Sequence, residues 1–274
     1  TNFLLELKLA QTYFLLGDYV TAQVVYDDIY NRPNSEDIKA QVDYARGQMN
    51  TNLGQAEQAT TTYLNAVFNY PQAYYSYLCL IELVNADYPV DELQRGVVDY
   101  NAGQYGVALS AFDRYLSASP SDPSTALYYK GLILRDQDDL SGAISSWDEV
   151  IQDDQTSQVW DSAWEQKAYT QWAYLEDYAA GEKTLLDFVA AAPNHPRAAE
   201  FLFDAGRVAE RDDRLLDAVK IWQRIPAEYP NSEYVYRAVF LSAICHYRLA
   251  DYASAQTVFW QAQEIATNPA ERAG

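Results

Sequence analysis

Leu16-Gly17-Asp18-Tyr19, followed by Ala22, Tyr26 and Pro33, decides how this chain folds. An apolar-periodic stretch runs into it, Gly17 permits a tight turn, and a second periodic stretch leaves it with a small and then a large residue on one face. The arrangement returns as Gly54 with Ala59, Tyr63 and Pro71, and as Gly103-Gln104-Tyr105 with Ala108, Phe112 and Pro120. It continues as Asp139-Leu140 with Ala143 and Trp147, and as Asp177-Tyr178 with Gly181, Leu185 and Pro193. Arg214-Leu215 with Ala218, Trp222 and Pro230, then Asp251-Tyr252 with Ala255 and Phe259, bring the copies to seven. A second small residue stands seven positions before the turn as Ala10, Gly47, Gly96, Gly131, Gly206 and Ala243; only the fifth copy departs, with Tyr169 there and Ala168 beside it.

Small residues let two antiparallel helices approach closely, and the large residue fills the space beside the contact. Proline at the far end has no N–H to give a helix interior, so it stops the second helix. In this order of small, small, aromatic and proline positions the chain resembles the tetratricopeptide repeat family over nearly its whole length. The resemblance implies an all-α solenoid, a right-handed superhelix of about seven helical hairpins. The step from Ala59 to Ala108 is longer than the others by about a dozen residues. The excess is the apolar run Ala73–Asn85, which reads as one extra helix broken by Asp87-Tyr88-Pro89. The expected organisation is therefore 1–72, an inserted helix and linker at 73–89, and 90–274.

Composition is globular: 49% of residues are hydrophobic and 14% aromatic, with 24 Tyr. The 39 Asp and Glu against 19 Lys and Arg give a net charge of −20, which repels phosphate backbones and anionic lipid, so neither nucleic acid nor a membrane surface is an expected partner. Cys79 and Cys245 fit no metal spacing and sit in apolar runs, as buried free thiols do. No stretch reaches the length of a membrane span, and the opening at Thr1 shows no signal-like segment, as in a mature protein or an excised fragment. A Tyr-rich, Lys-poor, acidic composition suits a soluble protein of a bacterial extracytoplasmic, periplasmic space.

Chemistry is sparse. The two histidines, His195 in the turn Pro193-Asn194-His195-Pro196 and His246 on a first helix, read as a surface residue and a packed one. Gly181-Glu182-Lys183-Thr184 fails the phosphate-loop pattern, because its Lys does not follow the required glycine. The acidic pairs Asp27-Asp28, Asp138-Asp139, Asp153-Asp154 and Asp212-Asp213 lack the alternating oxygens of a calcium loop and fall where helix caps are expected. Trp147 and Trp222 hold the aromatic core position, and Trp164 and Trp172 share one face of a first helix and read as core; Trp160 and Trp260 stay unassigned. No catalytic residue, metal ligand or cofactor is expected.

Stacked hairpins present their first helices on a concave face, where such proteins bind. That row carries Tyr44, Gln48, Asn52, Tyr100, Asn101, Tyr128, Arg135, Gln166, Thr170 and Tyr174, then Phe203, Arg207, Arg211, Phe240, Tyr247 and Arg248, with Arg237 near the rim. The arginines admit two readings. They could receive a carboxylate bidentately, or Glu200, Glu210 and Asp136 could neutralise them as ordinary helix-surface pairs. The Lys and Asn set of the family's peptide-carboxylate clamp is not matched. The family resemblance implies a non-catalytic scaffold for a protein or peptide partner. An alternative rests on Arg95–Tyr105, Ala243–Tyr252 and Asn268–Gly274, which look like the repeats preceding the catalytic domain of soluble lytic murein transglycosylases. It implies peptidoglycan as the ligand and a catalytic glutamate beyond Gly274. The Tyr229-Pro230-Asn231-Ser232 loop is also similar in style to periplasmic repeats of envelope assembly.

Overall fold

A computed structural model describes residues 3–153 and 155–266. Among them are fifteen α-helices and no strand. The chain divides into two compact units, Thr1–Ile133 and Leu134–Gly274. The first holds α1 (Phe3–Leu15), α2 (Tyr19–Asn31), α3 (Glu36–Asn52), α4 (Ala56–Asn69), α5 (Tyr74–Asn85), α6 (Glu92–Asn101) and α7 (Tyr105–Ser117). The division falls inside α8 (Ser124–Asp136). The second unit continues with α9 (Leu140–Asp153), α10 (Trp160–Tyr169), a π-helical turn at Thr170–Tyr174, α11 (Tyr178–Ala191), α12 (Ala198–Arg211), α13 (Leu215–Glu228), α14 (Tyr234–Arg248) and α15 (Tyr252–Ile265). The solenoid of hairpins and the extra helix expected from the repeat are both present; that extra helix is α5, packed on α3 and α4.

The seven turns share one device. Each bends through a residue in the left-handed region: Gly17, Gly54, Gly103, Asp138, Glu176, Asp213 and Ala250, with φ between 54° and 79°. Glycine takes this conformation without a Cβ penalty and the later repeats do so without glycine. Aspartates then cap the second helices, Asp18, Asp139, Asp177 and Asp251 each accepting a hydrogen bond from the backbone N–H three residues on. The acidic pairs Asp138-Asp139 and Asp212-Asp213 are thus turn, cap and ion-pair residues, and Asp27 and Asp28 pair with Arg46 and Arg32. Asp154 lies outside the described residues. Among the described residues no group of three His, Cys, Asp or Glu side chains is placed to hold a metal.

Close approach explains the small positions. A Cβ added to Gly47 would come within 2.1 Å of the Tyr63 ring, at Gly96 within 2.4 Å of Phe112, and at Gly206 within 2.2 Å of Trp222. In these three hairpins the first helix lies close against the aromatic of the second, and Tyr26, Phe112, Trp147 and Trp222 are sealed from solvent. The fifth copy shows why its small residue is displaced. Ala168 precedes the left-handed Glu176 by one residue more than in the other copies. The π-turn absorbs that extra residue, restoring the packing of Ala168 against Gly181. Cys79 and Cys245 are free and buried, and burial pushes both thiols up, Cys245 to about 11.

Unit one also buries two carboxylates. Asp43, 2% exposed, accepts a 2.6 Å bond from Asn65 Nδ2 and has Arg46 3.9 Å away; burial outweighs both and pushes it up to about 6. Asp99, with Arg95 at 3.7 Å, is likewise pushed up to about 6 by burial. A folded acid that holds its proton more tightly than the unfolded chain does stabilises the fold as pH falls. We expect the melting temperature to rise as pH drops from 7.5 through 6 toward 4.5. Self-repulsion at net −20 acts in the same direction, so Asp43→Asn is the control. The melting profile of that variant against pH should be flatter than that of the parent, and an unchanged slope would exclude Asp43 as a source.

Candidate ligand-binding groove

The second unit contains a groove of about 540 Å³. Its walls come from the first helices of successive hairpins: Arg135 from α8, Glu165, Gln166 and Tyr169 from α10, Trp172 from the π-turn, Phe203, Asp204, Arg207 and Arg211 from α12, and Arg237 from α14. Only Leu185, from α11, belongs to a second helix. The π-turn matters here. It underwinds the end of the first helix, and the rings of Tyr169, just before it, and of Trp172 and Tyr174, within it, lie against arginines.

Three arginines are held by aromatic faces. The Arg135 guanidinium lies 5.5 Å from the Trp147 ring, 5.7 Å from Tyr169 and 5.4 Å from Tyr174, and its Nη1 donates to Gln166 Oε1 at 2.6 Å. Its buried Nε has no hydrogen-bond acceptor among the described residues. Arg211 sits 4.6 Å over Trp172, and Arg237 4.7 Å over Phe203, which is itself buried against Trp222 and Tyr234. Stacking fixes a guanidinium plane while leaving its edge donors open. Among the described residues, Arg135, Arg211 and Arg237 are in no ion pair.

The other charges are engaged or suppressed. Arg207 pairs with Glu210, which also takes Arg248 at 3.2 Å, while Asp213 takes Arg248 at 3.0 Å. Glu200 and Glu165 are both tied to Arg197, at 2.8 and 2.7 Å. Neutralisation by neighbouring acids therefore describes Arg207 and Arg248 and leaves the three stacked arginines aside. Asp204 is the exception among the acids. Burial of its carboxyl first, then Glu200 and Glu165, push it up to about 6 against Arg197 and Arg237.

Of the residues read from the sequence, the groove gathers Arg135, Gln166, Phe203, Arg207, Arg211 and Arg237, with Tyr174 stacked under Arg135 and Thr170 buried in the π-turn. Tyr247 instead lines a shallower pocket of about 490 Å³ with Tyr252, Phe259 and the exposed Trp260, and Phe240 stacks on Tyr236. In unit one the row is spent on itself. Gln48 donates to the Tyr44 hydroxyl and Asn52 to the Gln48 carbonyl, both at 2.8 Å, while Tyr44 packs on Tyr63 and on Tyr75 of α5. Tyr100 and Tyr128 pack on Tyr129, and Asn101 donates to the Val97 and Pro71 carbonyls.

Sequence reasoning passed over Tyr169, Asp204, Glu165 and Arg197. Trp172 faces the groove as well as the core, whereas Trp160 is buried. His195 packs edge-on against Phe188 at 5.3 Å and accepts from the Arg197 N–H; His246 Nδ1 is 3.3 Å from Asp251.

The tetratricopeptide repeat family profile matches residues 93–158 and 173–233. Over those two stretches the chain is built of tetratricopeptide repeats. The fold is similar to that of the apo form of RapI, 10% identical, with a TM-score of 0.53 over 97% of this chain and 77% of its own. MamA is 18% identical over 65% of this chain and 96% of its own, with a TM-score of 0.46. PilF of Pseudomonas aeruginosa is 14% identical over 88% and 97%, with a TM-score of 0.42. No curated protein matches the sequence. Among the described residues no helix is long and apolar enough to cross a membrane.

Proposed function

We propose that this tetratricopeptide-repeat chain is a non-catalytic scaffold that takes a segment of a protein partner in the groove of its second unit. The supporting observation is that one groove is lined almost entirely by first helices, with aromatic rings and fixed donors converging on it. Such a surface offers an extended peptide both area and direction. Of the segments that resemble lytic transglycosylase repeats, the third, 268–274, lies outside the described residues.

The test is site-specific. Peptides selected by the protein from a displayed random library should photo-crosslink to a benzophenone side chain placed at Tyr169 and not to one at Lys220, which is exposed on the second helix α13. Failure to select any peptide, or crosslinking at position 220 in preference to 169, would overturn the proposal.

A further inference from the structure

We infer that the groove reads carboxylates: its ligand is a short peptide segment carrying one or two acidic groups, received by Arg135, Arg211 and Arg237. This rests on the scaffold function proposed above and names its ligand chemistry.

Within a chain of net −20 these three guanidinium groups are set apart by making no ion pair among the described residues, although Asp204 lies within electrostatic reach of Arg237 and neighbouring arginines are paired. Arg207 and Arg248, on the same helices, are closed by Glu210 and Asp213. Arg135, Arg211 and Arg237 are held instead by uncharged rings, which orient them without consuming their edge donors. The unpaired buried Nε of Arg135 is a donor awaiting an acceptor. A charge-assisted pair inside a walled groove is stronger than one at an open surface. The acidic surroundings limit the ligand's size. A long polyanion is repelled by the whole molecule, whereas one or two carboxylates within a few ångströms of three arginines feel chiefly those arginines.

Asp204, which lines the groove, opposes this ligand. The charged groups around it are Glu165 and Glu200, of its own sign, and Arg197 and Arg237 of the other, with Tyr234 also nearby and Arg207 and Arg211 lining the same groove. Glu165 and Glu200 are already paired with Arg197. As pH rises through the range in which Asp204 ionises, the groove gains a negative charge and the acidic segment binds less tightly. A peptide carboxylate, with its ordinary pKa near 4, stays charged over the same interval.

The experiment selects peptides as above and sequences the pool. Enrichment in Asp and Glu is expected, and replacing those residues by Gln and Asn in one selected peptide should weaken its binding tenfold or more. Arg211→Gln and Arg237→Gln, both exposed side chains whose loss leaves the core intact, should each weaken it by roughly tenfold. Asp204→Asn should tighten binding several-fold at pH 7.5 and leave it unchanged near pH 5. A pool of neutral peptides that crosslink at position 169, or affinities unmoved by both Arg→Gln variants, would overturn the carboxylate inference while leaving the scaffold standing. A protein that selects no peptide at all would remove both.

Discussion

Trp222→Ala should cost the second unit about 3–5 kcal/mol, the usual range for emptying a fully enclosed large aromatic site. Trp222 is sealed from solvent, stacks on Phe203 at 6.1 Å, donates its Nε1–H to the Phe203 carbonyl at 3.0 Å and lies against the bare backbone of Gly206. Neighbours that lock against glycine backbone have little room to collapse into the cavity. With total stabilities of about 5–15 kcal/mol for ordinary domains, a loss of this size brings unit two near its unfolding limit at 37 °C. All six tryptophans lie between residues 147 and 260, so their fluorescence in a urea titration reports on this unit. Gly206→Ala is the companion variant: a Cβ 2.2 Å from the indole nitrogen demands a shift, and overpacking of this kind costs about 1–3 kcal/mol. Combining Gly206→Ala with Trp222→Leu should cost less than the two effects added, because each variant relieves the other's fault. Strict additivity would mean that the glycine is not there to admit the indole.

The same contact shows what a sequence can and cannot disclose. Gly206, Trp222 and the left-handed turn at Asp213 stand at fixed offsets, so local chemistry alone reveals the hairpin. The fifth copy is the informative exception. Tyr169 in place of a small residue marks a one-residue insertion that the helix accommodates as a π-turn, and the rings of Tyr169 and Trp172 there lie against Arg135 and Arg211. The arginines were visible as a cluster, but which of them are committed depends on side chains brought together from different helices. Glu210 chooses Arg207 and Arg248, and Arg197, at a helix start, collects acids from two helices. Spacing along one helix carries no such information. In unit one a contact equally absent from local pattern engages the candidate row: α5 lies against α3 and places Tyr75 on Tyr44.

Arg197→Met is the second large effect expected. Arg197 donates from Nε to Glu200 at 2.8 Å, from Nη1 to Asp161 at 3.0 Å and from Nη2 to Glu165 at 2.7 Å, with its guanidinium 5.1 Å from the Phe201 ring. Glu200 first, then Glu165 and Asp161, hold its proton more firmly than usual. Removing the cation leaves three carboxylates facing one another. Breaking a fully buried pair costs about 3–5 kcal/mol; Arg197 retains 26% exposure, so screening by water reduces the expected loss to about 2 kcal/mol. Methionine preserves much of the apolar stem, which separates lost charge from lost packing. Arg197→Lys should fall between, since a single ammonium cannot reproduce a fork that reaches three acids. The Met deficit, followed by urea unfolding, should shrink at pH 4.5, where the freed carboxylates protonate, and in high salt, where their repulsion is screened. A deficit independent of both would assign the role of Arg197 to its stack on Phe201. Because Glu165 lines the groove, its release adds negative charge opposite Arg135, Arg211 and Arg237. The same variant should therefore also weaken binding of an acidic peptide at pH 7.5, tying the stability of the α10–α12 contact to the charge of the groove.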